Sequence, residues 1–341
     1  MDELACWLRL LGAPGVGRVG ARRLVQRHGS LEAAAAAAQP PTDLVSQALE
    51  RSRRWLEGGQ QRSLLMLGDV DYPPLLLNSP DPPLLLFLEG RREQLAQLPA
   101  MAVVGSRHPT PQGRETARGL AAELAGAGLA VVSGLAIGID GEAHRGALTR
   151  GASWAVLGSG LDVIHPRAHR ELAASLIERG LLISEHVPGT QPLPQHFPVR
   201  NRIIAGLCQG CLVVEAAEQS GSLITARLAG EAGRDVFAVP GSIRSPQSRG
   251  CHLLIQQGAQ LVQELADLLP GVAAATLKAA GPQGVEDPLL AALGWEPSSL
   301  EALQARTGWR TEALLARLLE LELEGRLRRV AGGRFERTAA A

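Results

Sequence analysis

Gly105, Ser106 and Arg107 open the loop of the stretch VVGSRHPTPQG (103–113), where an apolar run gives way to a helix-like one. Glycine lets a backbone approach a ligand closely, and the free N–H groups at a helix start attract anions. The loop departs from the dinucleotide fingerprint G-x-G-x-x-G, because Arg107 stands where a second glycine would meet a pyrophosphate. A guanidinium at the rim of such a loop suits a phosphate gripped from the side, as in a nucleic-acid backbone. Similar small polar groups follow other apolar runs: Ser133, Gly134 and Gly138 in SGLAIGID, the segment GSGLD (158–162), and Ser220, Gly221, Ser222 and Thr225 in EQSGSLITA. Singly these are ordinary turn and capping residues. Four such segments on one sheet edge point to a ligand site.

A second cluster lies in QHFPVRNRIIAGL (195–207), where Phe197, Arg200, Asn201 and Arg202 stand together in a chain with only ten aromatic residues. A ring beside guanidiniums is the equipment of a single-strand binder, because every base has a face to stack and every linkage a phosphate. Taken alone, these residues favour the plainer alternative, in which Phe197 is buried and the arginines pair with acids such as Glu185 or Glu215. The other combinations are weaker. Glu215 and Glu218 could act on a ribosyl bond, which keeps a phosphoribohydrolase-like nucleotide protein as the competing class. Asp140 and His144 are four apart and fit a helix-capping Asp and a buried or solvated His. Cys208 and Cys211 have no second pair to complete a tetrahedral zinc site, and a carboxylate cluster for a two-metal nuclease is missing. The expectation is a binding protein with no catalytic residue, metal or cofactor.

Positioning these loops requires a sheet. Candidate strands are LLLFLE (84–89), MAVVG (101–105), LAVVSG (129–134), SWAVLG (153–158), GLLISE (180–185), CLVVEA (211–216), DVFAVPG (235–241) and QLV (260–262), with helical lengths between most of them. One such helix has Pro111 just inside its start and Ala117, Leu120, Ala121 and Leu124 on one face. This alternation predicts an α/β fold with a mostly parallel, doubly wound sheet, whose ligands bind beyond the carboxyl ends of the strands.

The remainder of the 341 residues divides around that sheet. Residues 1–62 read as a small helical domain, in which PGVGRVGARRL has the pattern of a helix-hairpin-helix that grips a phosphate or, equally, of a docking domain. Residues 63–270 hold the sheet, and 271–288 form an Ala/Gly/Pro-rich linker. Residues 289–341 read as three helices and a Gly332-Gly333 hairpin, a winged helix. Net charge is zero, with nine arginines against six acids in the first 62 residues and no basic tail, so nucleic acid must be met by a local cluster. Only Lys278 among the 34 basic residues is a lysine, so phosphate contacts fall to guanidiniums. The helix expected to read DNA in the winged domain carries Glu312, Glu320, Glu322 and Glu324 against Arg317, which argues for a protein-contact or regulatory role; Arg326, Arg328, Arg329 and Arg334 on the wing argue the other way. No apolar stretch reaches the roughly 18 residues of a membrane span, and the start MDELACW lacks signal-peptide order, so a cytoplasmic protein without membrane contact is expected.

The ordered run VVGSRHPTPQG, VVSGLAIGIDGEAHRGAL, AVLGSGLDVIHP, LISEHVPGT, FPVRNRIIAGL, VVEAAEQSGSLITA, VFAVPGS and GCHLLIQQGA closely resembles the bacterial DNA-processing protein DprA (Smf) family over residues 65 to 265. The resemblance implies an extended Rossmann-like domain that binds single-stranded DNA, forms a homodimer, protects incoming DNA and helps load RecA recombinase in natural transformation. It implies that the Gly105-Ser106-Arg107 loop and FPVRNR line the DNA pocket. The sequence departs from the family pattern at His165-Pro166, where tyrosine is expected before the proline, and before Phe197, where no basic residue stands.

Overall fold

The computed structural model describes residues 2–269, 287–294 and 296–338, and the chain divides into two compact units, Met1–Leu269 and Pro270–Ala341. The first opens with helices α1 (Glu3–Gly12), α2 (Gly17–His28), α3 (Leu31–Ala37) and α4 (Thr42–Glu57). Side-chain caps start two of them, Asp2 accepting from Leu4 N and Ser30 from Ala33 N, and Gly29 at φ 78° ends α2. Trp7, Leu10, Ala21, Ala34 and Val45 form their core together with Leu84 and Leu85, so these helices share a core with the sheet that follows.

That sheet has nine strands among the described residues: β1 (Arg62–Met66), β2 (Leu85–Gly90), β3 (Ala100–Gly105), β4 (Ala130–Ser133), β5 (Ser153–Val156), β6 (Leu181–Ser184), β7 (Gly210–Val214), β8 (Asp235–Ala238) and β9 (Gln260–Leu261). Their spatial order is β1-β2-β6-β5-β4-β3-β7-β8-β9. The pairs from β6 across to β9 are parallel, and β2 and β1 extend the edge antiparallel. All eight expected apolar runs become strands. The ninth, β1, was not expected: RSLLM lies directly behind a helix and shows no alternation, and its register comes from β2, where Arg62 Nε donates to Glu89 Oε1 at 2.8 Å.

Between the strands run α5 (Pro74–Leu77), α6 (Gln94–Gln97), α7 (Pro111–Gly126), α8 (Ile139–Arg150), α9 (Arg170–Arg179), α10 (His196–Leu207), α11 (Ser222–Glu231) and α12 (Arg249–Gln256), and α13 (Leu265–Leu268) follows β9. Helices on both faces bury the central strands twice over, which explains their unbroken apolar runs. Ala102, Val104, Val132, Val156 and Val213 pack under α10, α11 and α12, whereas Val103, Val131, Leu212 and Val214 pack under α7 and α8. From β3 the chain moves outward through β4, β5 and β6, then returns to lay β7 on the other side of β3. The loops after β3 and β7 therefore part, and the crevice between them is the topological switch point where doubly wound sheets bind ligands.

The second unit contains α14 (Pro288–Leu293), α15 (Leu300–Thr307), α16 (Thr311–Leu323) and the hairpin β10 (Leu327–Val330) with β11 (Arg334–Arg337), turned by Gly332 and Gly333 at φ 80° and 66°. Leu289, Leu293, Leu303, Leu314, Leu318, Leu321 and Phe335 fill a core of winged-helix form. Residues 271–286 of the expected linker lie outside the described residues. On α16, Arg317 is held by Asp287 and Glu320, which leaves Glu312, Leu315, Leu319, Leu323 and Glu324 exposed. On the wing, Arg328 bonds Glu336 at 3.0 Å and Arg329 lies over the Phe335 ring.

Candidate nucleic-acid interface

A cavity of about 650 Å³ occupies the β3/β7 switch point. Its wall begins with the loop after β3. Ser106 N donates to Glu215 O at 2.8 Å, joining this loop to the one after β7, and Ser106 O accepts Ile139 N at the start of α8. A Cβ on Gly105 would strike Val214 O, and one on Gly138, at φ 86°, would strike Ser106 O, so both glycines are required by close backbone approach. Thr110 caps α7 through Gly113 N, and both its N and its Oγ1 donate to the Glu215 carboxylate. Glu215 itself sits at φ 55°, one of two non-glycine residues at positive φ among the described ones. The loop is thus fixed from behind, by groups that do not enter the cavity.

Arg107 is left exposed on this loop, and among the described residues no carboxylate pairs with it. Its guanidinium carbon lies 5.8 Å from the centroid of the Phe197 ring. Phe197 is half-buried rather than in the core. It packs beside Gly158 and His165, and the second guanidinium, Arg200, lies 5.9 Å from its ring centroid on the protein side.

Arg200 lines the cavity but is itself buried. Its Nη1 donates to Gly134 O at 2.7 Å and to Val156 O, and its Nε donates to Asn201 Oδ1 at 3.0 Å. Burial pulls its pKa down to about 10, against the attraction of Asp140. Burial pushes the Asp140 carboxyl up in turn, opposed by Arg200 and by the N–H groups of Ala136 and Gly134, the latter 3.1 Å from Oδ2. The far wall is the start of α11: the hydroxyls of Ser220 and Ser222 share a hydrogen bond of 2.7 Å beside Gly221 and Thr225, and Asn201 Nδ2 reaches Gly221 O at 3.5 Å. This wall supplies hydroxyl and backbone donors without a formal charge.

Gly105, Ser106, Arg107, Phe197, Arg200, Asn201, Ser220, Gly221, Ser222 and Thr225 are therefore brought to one cavity, and Gly134 lines a smaller one of about 130 Å³ that adjoins it at Arg107, Phe197 and Arg200. Gly138 supports the loop from below. Two expected residues fall elsewhere. Ser133 is fully buried with its hydroxyl on Val103 O at 2.7 Å, because the last residue of β4 points into the sheet. Arg202 lies two positions along α10 from Arg200, on another side of the helix, and donates to Asp81 at 3.0 Å and to Glu185 at 2.5 Å. Asp81 also binds Arg18 and Arg22 of α2, so Arg202 belongs to a clamp holding the N-terminal helices.

The structure adds Gln247, whose side chain reaches Ser106 Oγ at 3.4 Å and His108 O at 3.3 Å from more than a hundred residues away. Nothing local in SPQS signals that contact. Asp140 was visible in SGLAIGID, yet its role is to hold the loop of Gly134 and Ala136 beneath Arg200. His144 is buried with Nδ1 2.8 Å from Ser153 Oγ. Glu218 faces Arg249, 3.8 Å away, and is not part of the cavity wall. Burial raises both thiols of the Cys208/Cys211 pair, Cys211 to about 12, and among the described residues no group of three or more His, Cys, Asp or Glu side chains is placed to hold a metal ion.

Together, fold and site define a doubly wound, Rossmann-like protein with an arginine-rimmed pocket at its switch point, joined to a winged helix. Residues 63–273 match the family model of DNA recombination-mediator protein A, and residues 273–333 match that of the DprA winged helix domain. The chain belongs to this DprA/Smf family. It is 45% identical to protein Smf of Escherichia coli over 84% of this chain and 80% of that one. It is 50% identical to DNA processing protein DprA of Streptococcus pneumoniae over 59% of this chain and 71% of that one. The X-ray structure of S. pneumoniae DprA superposes with a TM-score of 0.68 at 37% identity, covering 80% of this chain and 98% of that one. Helicobacter pylori DNA processing protein A, whose structure describes a single-stranded DNA binding mode, superposes with a TM-score of 0.56 at 29% identity, covering 65% and 98%. Among the described residues no helix is long and apolar enough to cross a membrane.

Proposed function

We propose that this protein binds single-stranded DNA in the switch-point cavity, without catalysing a reaction on it. The observation that carries the reading is Arg107: an exposed guanidinium with no carboxylate partner among the described residues, stacked toward a half-exposed ring, over a pocket of backbone and hydroxyl donors. A phosphate takes the guanidinium, a base takes the ring, and the small groups at α11 admit the sugar-phosphate chain. Of the two carboxylates a hydrolase would call on, Glu215 spends both oxygens on Thr110, and Glu218 faces Arg249 outside the cavity wall. The same reading has a cytoplasmic homodimer that shields the strand and passes it to RecA recombinase. The single-strand part of this reading is supported by the single-stranded DNA binding mode of the H. pylori relative. The acidic and apolar outer side of α16 supports a protein-contact role for the winged helix in place of duplex binding. The test is a side-by-side titration of the full chain with single strand, duplex and free nucleotide. Preference for the single strand is expected, and equal or tighter binding of a mononucleotide would overturn it.

A further inference from the structure

On the α7/α8 side of the sheet, Glu142 in the first turn of α8 is buried, and three guanidiniums converge on its carboxylate. Arg118 donates from Nη2 at 2.5 Å and Nε at 2.9 Å to Oε2. Arg145 Nη1 lies 3.2 Å and Arg114 Nη1 3.9 Å from Oε1. The three side chains remain 57%, 40% and 51% exposed. On the Glu142 carboxylate, three cations meet one anion. Arg118 alone hydrogen-bonds the buried carboxylate twice, and the half-exposed Arg145 and Arg114 add only longer contacts of the kind that contribute little to stability, so charge compensation of Glu142 does not account for all three arginines. A buried carboxylate does orient guanidiniums, leaving each with donors that no described protein group takes up.

The cluster is also next to the pocket. Arg114 N donates to Thr110 O at the end of the Arg107 loop, and Glu142 N donates to the O of Gly138, the glycine that touches the backbone of Arg107. One helical turn, about 5.4 Å of rise, separates Glu142 from that contact.

We propose that Arg114, Arg118 and Arg145 form a second phosphate site, which takes the backbone of a polynucleotide strand as it leaves the Arg107 pocket over the starts of α7 and α8. The proposal rests on the single-strand reading of the pocket. It is tested with the full-length double variant R114Q/R145Q, which keeps Arg118 on the buried carboxylate, and with oligothymidylates of two lengths. For a strand of about 30 nucleotides, affinity should fall on the order of tenfold at low salt, and the log–log salt slope should become shallower by about 1.4, or 0.7 per lost phosphate contact. For a strand of about six nucleotides, which fills the pocket alone, affinity should stay within about twofold. An unchanged slope on the long strand, in a protein whose R107A variant loses binding to both lengths, would overturn the second site and leave the pocket standing. If R107A binds both lengths as the parent does, the pocket reading itself fails. Should the double variant melt early, R114Q alone is expected to give about half the slope change, and no change would equally refute the site.

Discussion

Replacing Arg107 by alanine separates binding from folding more cleanly than any other single change. The side chain is exposed and makes no ion pair among the described residues, and its guanidinium lies 5.8 Å from the centroid of the Phe197 ring. Its loss should therefore move stability by no more than about 0.5 kcal/mol. In the complex the guanidinium makes a charge-assisted contact worth about 1.5–3 kcal/mol. That corresponds to a Kd roughly 10 to 150 times weaker. Fluorescence anisotropy with a labelled oligothymidylate, repeated across a salt series, reads both the affinity and the contact count: the slope should fall by about 0.7. Arg107→Lys keeps the charge but loses the planar fork, so it should keep the slope and recover only part of the affinity. An alanine variant with a native thermal melt and an affinity within about twofold of the parent would refute the pocket. The contrast with Arg200 is instructive, because there the same substitution strands a buried Asp140 and should cost stability first.

Phe197→Ala should weaken single-strand binding by about 1–3 kcal/mol with an unchanged salt slope, since a stacked ring neutralises no phosphate; a loss of folding by circular dichroism would return Phe197 to the core. Glu215→Ala removes both acceptors of Thr110 and should lower the urea midpoint and the affinity together, by about 1–3 kcal/mol of loop anchoring. Wild-type binding by that variant would show that the carboxylate does not position the Arg107 loop. Burial, reinforced by His196, Arg18 and Arg202, holds His186 down at about 4 from an ordinary 6.5. The unfolded chain then binds the extra proton between about pH 6.5 and 4, so this residue makes stability fall as pH drops through that window. His144, held at about 3 by burial, acts in the same sense, and the raised Asp140 acts in the opposite one. His186→Gln should shrink the difference in urea midpoint between pH 7 and pH 5, and an undiminished difference would remove His186 as a source.

Much of this was legible in the sequence wherever a local pattern suffices. Strands β3 to β7 announce themselves as apolar runs buried on both faces, β2, β8 and β9 as apolar runs toward the edges, and the loop of Gly105 to Arg107 by its break from the glycine fingerprint. What stayed hidden depends on direction or distance. FPVRNR shows two arginines but not that helical geometry sends Arg200 under the pocket and Arg202 to Asp81. Ser133 looks like a strand-end ligand group until the pleat turns it onto Val103 O. Gln247 arrives from a remote loop, and β1 takes its register from β2 alone. The family resemblance places FPVRNR in the pocket as a block; the structure divides it residue by residue.

The central claim, a pocket for a strand rather than for a nucleotide, is tested most directly by affinity as a function of oligothymidylate length at several salt concentrations. A backbone site adds counterion release with each phosphate it neutralises, so affinity should climb over several nucleotides and then level off, with a salt slope that steepens in step at about −0.7 per contact. A mononucleotide offers one such contact and should bind weakly. Saturable binding of a nucleoside monophosphate that equals the longest strand, indifferent to length and accompanied by release of free base that Glu215→Gln or Glu218→Gln abolishes, would contradict the account and make the protein a hydrolase.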